Sequence, residues 1–178
     1  MPKWKKIKTE PLNENPYGGY YVHTFQIDDG PEGEYYFHKN RNAVSGFVRK
    51  VDGTFVMLRE YRFLFDRVSL SHVQGAIDEG ENPEATIVRE AVEEVGYLAK
   101  RITHLGTFAS APAFSMEEVS VYLLEDLEEQ ERYAEPREHT EPVIMTREQI
   151  DVAIRSGEIW DSQVIAAWAL MKLWLEKN

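Results

Sequence analysis

The chain contains no cysteine. That excludes a disulfide framework, a thiolate zinc site and a cysteine nucleophile, and it fits a reducing compartment such as the cytoplasm. Positive charge is also scarce. Twenty Lys and Arg stand against 31 Asp and Glu, a net charge of −11 in 178 residues. Broad binding to a nucleic-acid backbone is therefore not expected. No apolar run reaches the roughly 18 residues that a membrane helix needs; the longest candidate, Val164 to Leu175, is interrupted by Lys172. The opening stretch MPKWKKIKTEPLNEN is basic and then polar, with no apolar segment, so no secretory signal is expected. What is present suffices for a core: 43% hydrophobic residues, 12% of all residues being aromatic.

The first part of the chain reads as strands. Tyr20 to Ile27 and Glu34 to His38 are rich in aromatic and β-branched residues, and the Asp28–Gly33 stretch between them is turn-forming. Ala43 to Lys50 and Thr54 to Glu60 form a second pair around Asp52-Gly53. The period then changes. Asn82-Pro83 is a helix start and Gly96 a helix stop, with Ala85, Val88, Ala91, Val92 and Val95 as the expected docking positions. Strand-like runs follow at Ile102–Ala109 and Val119–Leu124. Thr146 to Gln149 fits a capping box for a short helix ending at Gly157. Asp161 caps a last, apolar helix that is expected to be largely buried. The Glu125–Glu131 charge run reads as a solvated loop or helix end. Histidines 23, 38, 72, 104 and 139 show no ligand spacing and read as surface or strand residues.

The chemistry concentrates in Gly75 to Tyr97, where seven acidic side chains accompany one arginine. Glu90, Glu93 and Glu94 stand at i, i+3 and i+4, so their carboxylates share a helix face and repel. A divalent cation relieves that repulsion, and hard oxygen ligands select Mg²⁺, Mn²⁺ or Ca²⁺ over zinc.

The segment matches the pattern G-x5-E-x7-R-E-U-x-E-E-x-G-U at Gly75, Glu81, Arg89, Glu90, Glu93, Glu94 and Gly96, with Ala91 and Tyr97 at the apolar positions. It resembles the Nudix box. The resemblance implies an α/β/α sandwich with a mixed sheet over residues 41–178, preceded by a small antiparallel β-region at 1–40. It also implies Mg²⁺-assisted hydrolysis of a nucleoside diphosphate linked to another group, with Mn²⁺ as a second possible metal. By resemblance Glu90 and Glu94 are the principal metal ligands. Glu93 is a further ligand and catalytic group, and the carbonyl of Gln74 also reaches a metal. Gly75, Glu81, Arg89 and Gly96 support the box.

Outside the box, Ser110 to Glu118 resembles the S-P-G-x-x-(D)-E loop of ADP-ribose and nucleoside diphosphate sugar pyrophosphatases, with Ala113 and Met116 in place of its glycine and aspartate. Glu117 aligns with that loop's catalytic base or metal-linked carboxylate, and its neighbour Glu118 is the fallback for that role and a substrate-binding candidate. Leu58 to Arg62 resembles the V-x-Q-Y-R run of the same subfamily, which implies that Arg62, with Arg59, grips the pyrophosphate. The subfamily also implies a homodimer whose N-terminal region supplies base-stacking aromatics. Two alternatives stay open. The Val73-Gln74-Gly75-Ala76-Ile77-Asp78 stretch is similar to the box entry of RNA 5′-pyrophosphohydrolases and dinucleoside polyphosphate hydrolases. A non-catalytic nucleotide sensor with the same fold is the other.

Overall fold

The computed structural model describes residues 1–133 and 140–178, so His139 lies outside the described residues. It divides into two compact units, residues 1–42 with 109–118, and residues 43–108 with 119–178.

The first unit is a three-stranded antiparallel sheet of β1 (Trp4–Asn15), β2 (Gly18–Ile27) and β3 (Glu32–Asn40). The β2–β3 hairpin forms where the turn residues place it, with Gln26 opposite Glu32. β1 was not apparent from its lysine-rich sequence. It is ordered by pairing with β2, from Trp4 opposite Ile27 to Asn15 opposite Gly18. Residues 109–118 join this unit: Phe114 O accepts from the His38 amide, and Met116 N donates to His38 O.

The second unit holds a seven-stranded mixed sheet. Its path runs from β10 (Thr140–Met145) through β5 (Phe55–Arg62), β4 (Ala43–Arg49) and β9 (Glu118–Glu129) to β8 (Tyr97–Ala109). β6 (Arg67–Ser71) pairs with β5, and β7 (Val73–Ala76) with β4. β4 runs parallel to β9 and antiparallel to β5, which makes the sheet mixed. Strand alternation sends side chains to both faces. Phe47, Phe55, Met57, Val121 and Leu123 pack with α2 (Arg147–Ser156) and α3 (Ser162–Leu175). Val44, Val48, Val56, Leu58, Tyr122 and Leu124 pack with α1 (Pro83–Val95). This is the expected α/β/α sandwich.

Local signals bound the helices. Asn82 caps α1 by accepting from the Glu84 amide at 2.8 Å, and Gly96 ends it at φ 72°, a conformation that favours glycine. Thr146 and Gln149 close a capping box on α2. Asp161 caps α3 through the Gln163 amide.

Four expectations are corrected. α1 docks through Thr86, Ile87, Ala91 and Val95, not through Ala85, Val88 and Val92. Those three line an open groove with Leu98, Ile102 and Tyr133. α3 buries one stripe, Val164, Ala167, Trp168 and Met171, while Ile165, Ala169 and Leu173 are exposed. The Glu125–Glu131 run is neither loop nor helix end for most of its length, because β9 continues to Glu129. Glu125 is buried there, paired with Arg49 at 3.4 Å and Arg101 at 2.8 Å. His72 is neither a surface nor a strand residue. It lies between β6 and β7, 1% exposed, stacked on Phe47.

Candidate active site

The box folds onto itself through one close approach. A Cβ built on Gly75 would overlap the Glu90 carboxyl group, so only glycine lets β7 lie against α1 here. One residue earlier, the Gln74 amide donates to Glu94 Oε2 at 3.1 Å. Backbone pairing of Gln74 with Ser45 holds β7 in place. The two carboxylates one turn apart on α1 thus meet two consecutive residues of β7, Glu94 by hydrogen bond and Glu90 by contact.

Arg89 gathers the other box carboxylates. It approaches Glu90 at 2.8 Å and Glu93 at 2.9 Å, and its Nε and Nη2 each donate to Glu81 at 3.3 Å. The Glu81 hydrogen bonds hold the guanidinium above even its usual range, against the opposing effect of burial, and Glu90 and Glu93 add to this. Reciprocally, Arg89 holds the Glu81 carboxyl below the usual carboxylate range. The Glu90 side chain is 13% exposed and that of Glu93 40%, so the first faces β7 and the second faces solvent.

Among the described residues no three acidic or histidine side chains converge into a ready-made metal cage. The donor set is of another kind. It comprises the carboxylates of Glu90 and Glu94 and the backbone of Gln74 beside them, with a glycine whose missing Cβ leaves room. Oxygen donors around a glycine-opened strand suit a hard divalent cation, so the residues fit one.

The remaining candidates are placed as follows. Arg59 and Arg62 lie three apart on β5 and so take opposite faces. Arg59 is half exposed, 3.9 Å from Glu158. Arg62 is turned inward. Its Nη1 meets Glu60 at 2.7 Å; its Nη2 meets Asp161 and Gln74 Oε1 at 3.0 Å each and Ser71 Oγ at 3.3 Å. Glu117 and Glu118 belong to the first unit. The Glu117 amide donates to Ser115 Oγ at 3.2 Å, and that of Glu118 to Asn42 Oδ1 at 3.1 Å.

Sequence reasoning missed His72 and Asp161 as neighbours of the box. His72 contacts Ser45 Oγ through Nε2, and its Nδ1 is buried without a partner among the described residues. Burial, with the Arg62 charge adding to it, pushes its pKa down to about 3, so the ring is neutral. No local signal marks either residue, since their partners lie 27 and 99 positions away.

Comparison with known proteins identifies the family. The NUDIX domain family matches residues 39–168. The ADP-ribose pyrophosphatase of Bacillus subtilis (strain 168) is 30% identical over 159 residues, covering 88% of this chain and 85% of that protein. The methanol dehydrogenase activator of Bacillus methanolicus is 25% identical over 171 residues, covering 95% of this chain and 92% of that protein. A crystal structure of an ADP compounds hydrolase superposes with a TM-score of 0.85 at 20% identity, over 98% of this chain and 95% of the other.

Proposed function

Since this chain belongs to the NUDIX domain family and is a pyrophosphatase acting on nucleoside diphosphate compounds, we propose that its substrate is ADP-ribose or another nucleoside diphosphate sugar. Cleavage of the diphosphate linkage by water gives a nucleoside monophosphate and a sugar phosphate. The carrying observation is the meeting of Gln74 and Gly75 with Glu94 and Glu90. The ADP-ribose pyrophosphatase relative, most of whose length this chain spans, supports the substrate class.

Glu90 and Glu94, with the Gln74 carbonyl and Glu93 as a further ligand, would hold Mg²⁺ or Mn²⁺. Such an ion supplies charge neutralisation at the diphosphate and acidifies a bound water. Arg89 orients Glu81, Glu90 and Glu93 by its ion pairs to all three. Glu117, on the 109–118 loop, is the proposed base that takes the proton of the attacking water, with Glu118 as its neighbour. Arg59, half exposed, is a candidate phosphate contact. The N-terminal sheet is proposed to mediate a homodimer and to offer exposed rings such as Tyr17 and Tyr36 to a base, in the cytoplasm.

The test is turnover of ADP-ribose, other nucleoside diphosphate sugars, diadenosine polyphosphates and triphosphorylated RNA, with Mg²⁺ and with Mn²⁺. The sugar conjugates should be fastest; fastest turnover of RNA would overturn the substrate class. Glu94→Gln should lose about 2–4 kcal/mol of transition-state stabilisation. A near wild-type rate in that variant would remove Glu94 from the metal site. Glu117→Gln should lower kcat about 100-fold with a much smaller change in KM, and Glu118→Gln should do less.

A further inference from the structure

We propose that Arg62 is a positioning residue: it holds the Gln74 side chain, and through it the backbone that bonds Glu94, in place against the box helix. This deepens the reading of the same site and rests on it for its catalytic consequence, although not for its geometry.

The guanidinium ties four segments together. Glu60 lies on its own strand, Ser71 at the end of β6, Gln74 on β7 and Asp161 at the start of α3. Both terminal nitrogens are engaged, the side chain is 26% exposed, and Nε is buried without an acceptor among the described residues. One cation flanked by two carboxylates is locally negative, which disfavours a phosphate at this place. A guanidinium presents its donors as a rigid planar fork, and here that fork spans the strands instead of facing outward.

Gln74 shows what the fork holds. Its Oε1 accepts from Arg62, while its Nε2 is buried without a partner among the described residues. Turning the amide over would set its NH₂ against the cation, so Arg62 fixes which way round it lies. The same residue's backbone N–H reaches Glu94. The path from the Arg62 charge to a box carboxylate therefore passes through a single residue. Asp161 extends it, because one of its oxygens takes Arg62 and the other caps α3 through the Gln163 amide at 2.8 Å. Neutral His72 closes the other side by stacking on Phe47 and contacting Ser45, the β4 partner of Gln74.

Three variants test the assignment. Arg62→Lys keeps the charge but cannot span the four segments. Gln74→Met removes the held acceptor and leaves the backbone. Asp161→Asn keeps a good helix cap and removes the ionic partner. Three quantities are read: hydrogen exchange at the Gln74 amide, Mn²⁺ affinity by calorimetry without substrate, and kcat and KM on ADP-ribose with Mg²⁺. Arg62→Lys and Gln74→Met should each speed exchange of the backbone amide at position 74 and weaken Mn²⁺ binding by about 10–100-fold, the range for partners that orient metal ligands. KM should change less than about twofold while kcat falls. Asp161→Asn should shift the same quantities less. Gln74→Met carries the test if Arg62→Lys fails to fold. Unchanged Gln74 exchange with a large rise in KM would mean that Arg62 grips substrate, and would overturn the proposal. Unchanged exchange and metal affinity would leave Arg62 a simple ion pair, and would overturn it equally. Wild-type protein that binds no Mn²⁺ would sink the metal reading alone, and Gln74 exchange would still decide the role of Arg62.

Discussion

In the second unit β4, β5 and β9 bury side chains on both faces, whereas in the first unit β1 is exposed along all twelve of its residues. The second unit packs two hydrophobic layers against helices. The sheet of the first unit buries only Val22 and Phe37 among its large hydrophobic side chains. Its order comes from ladder hydrogen bonds and from rings paired across strands: Trp4 with Phe25, Tyr20 with Tyr36, Tyr21 and His23 with Phe37. Cross-strand pairs contribute roughly 0.2–1 kcal/mol each, against several kcal/mol for a large buried side chain. The contrast teaches where each unit is vulnerable. Loss of one side chain should damage the second unit far more than the first.

The largest effect is expected at Trp168, 2% exposed and packed on Phe47 and Phe55 with centroids 5.3 Å away in each case. Trp168→Ala should cost about 3–5 kcal/mol in urea unfolding. A loss under 1 kcal/mol would mean that the second unit does not depend on its helix-side layer. Next is Gly75→Ala, which forces the Glu90 carboxyl aside. About 1–3 kcal/mol of stability and about 10–100-fold in Mn²⁺ affinity should go, read by thermal unfolding and calorimetry. A variant that binds Mn²⁺ like wild type would show that the close approach has no bearing on the site.

Asp151 offers a smaller, pH-dependent effect. Its carboxylate accepts from Trp168 Nε1 at 2.8 Å and pairs with Lys172 at 3.3 Å; the Trp168 bond foremost holds its pKa below the usual value. A depressed carboxylate contributes stability above its unfolded pKa and loses it as the pH falls through the folded one. Asp151→Asn should therefore cost about 1.5 kcal/mol near neutral pH. The difference from wild type should shrink below about pH 4. A gap that persists at low pH would assign the loss to packing. The smallest effect is expected from Trp4→Ala in the first unit, about 1 kcal/mol or less despite the size of the ring. A loss comparable to that of Trp168→Ala would erase the distinction between the units.

How far the sequence could be read follows the same division between local and distant causes. Helix ends were legible because Asn82, Gly96, Thr146, Gln149, Gly157 and Asp161 act within a turn of themselves. The box was legible because its pattern is fixed by sequence spacing. β1 was not, since Lys5, Lys6, Lys8 and Pro11 argue against a strand and only pairing with β2 makes one. β6, β7 and β10 have 5, 4 and 6 residues, too few for a period to show. Glu125 looked solvated because Arg49 and Arg101, which bury it, stand 76 and 24 positions away. The inward turn of Arg62 had one local hint, Glu60 two residues earlier on the same strand face; Asp161 had none.

The outer strand of the small sheet has a consequence for behaviour at high concentration. A long exposed strand is a template on which further chains can stack into fibrils. β1 is broken instead. Its pairing slips between Lys6 and Lys8 and again between Pro11 and Asn13, leaving regular runs of three or four residues. Pro11 offers no N–H, and the lysines put like charges wherever a copy would align. Six or seven uninterrupted residues are the usual requirement for a cross-β stack. The breaks that hid this strand from a reading of the sequence are thus the features that let it stand in water without seeding a fibril.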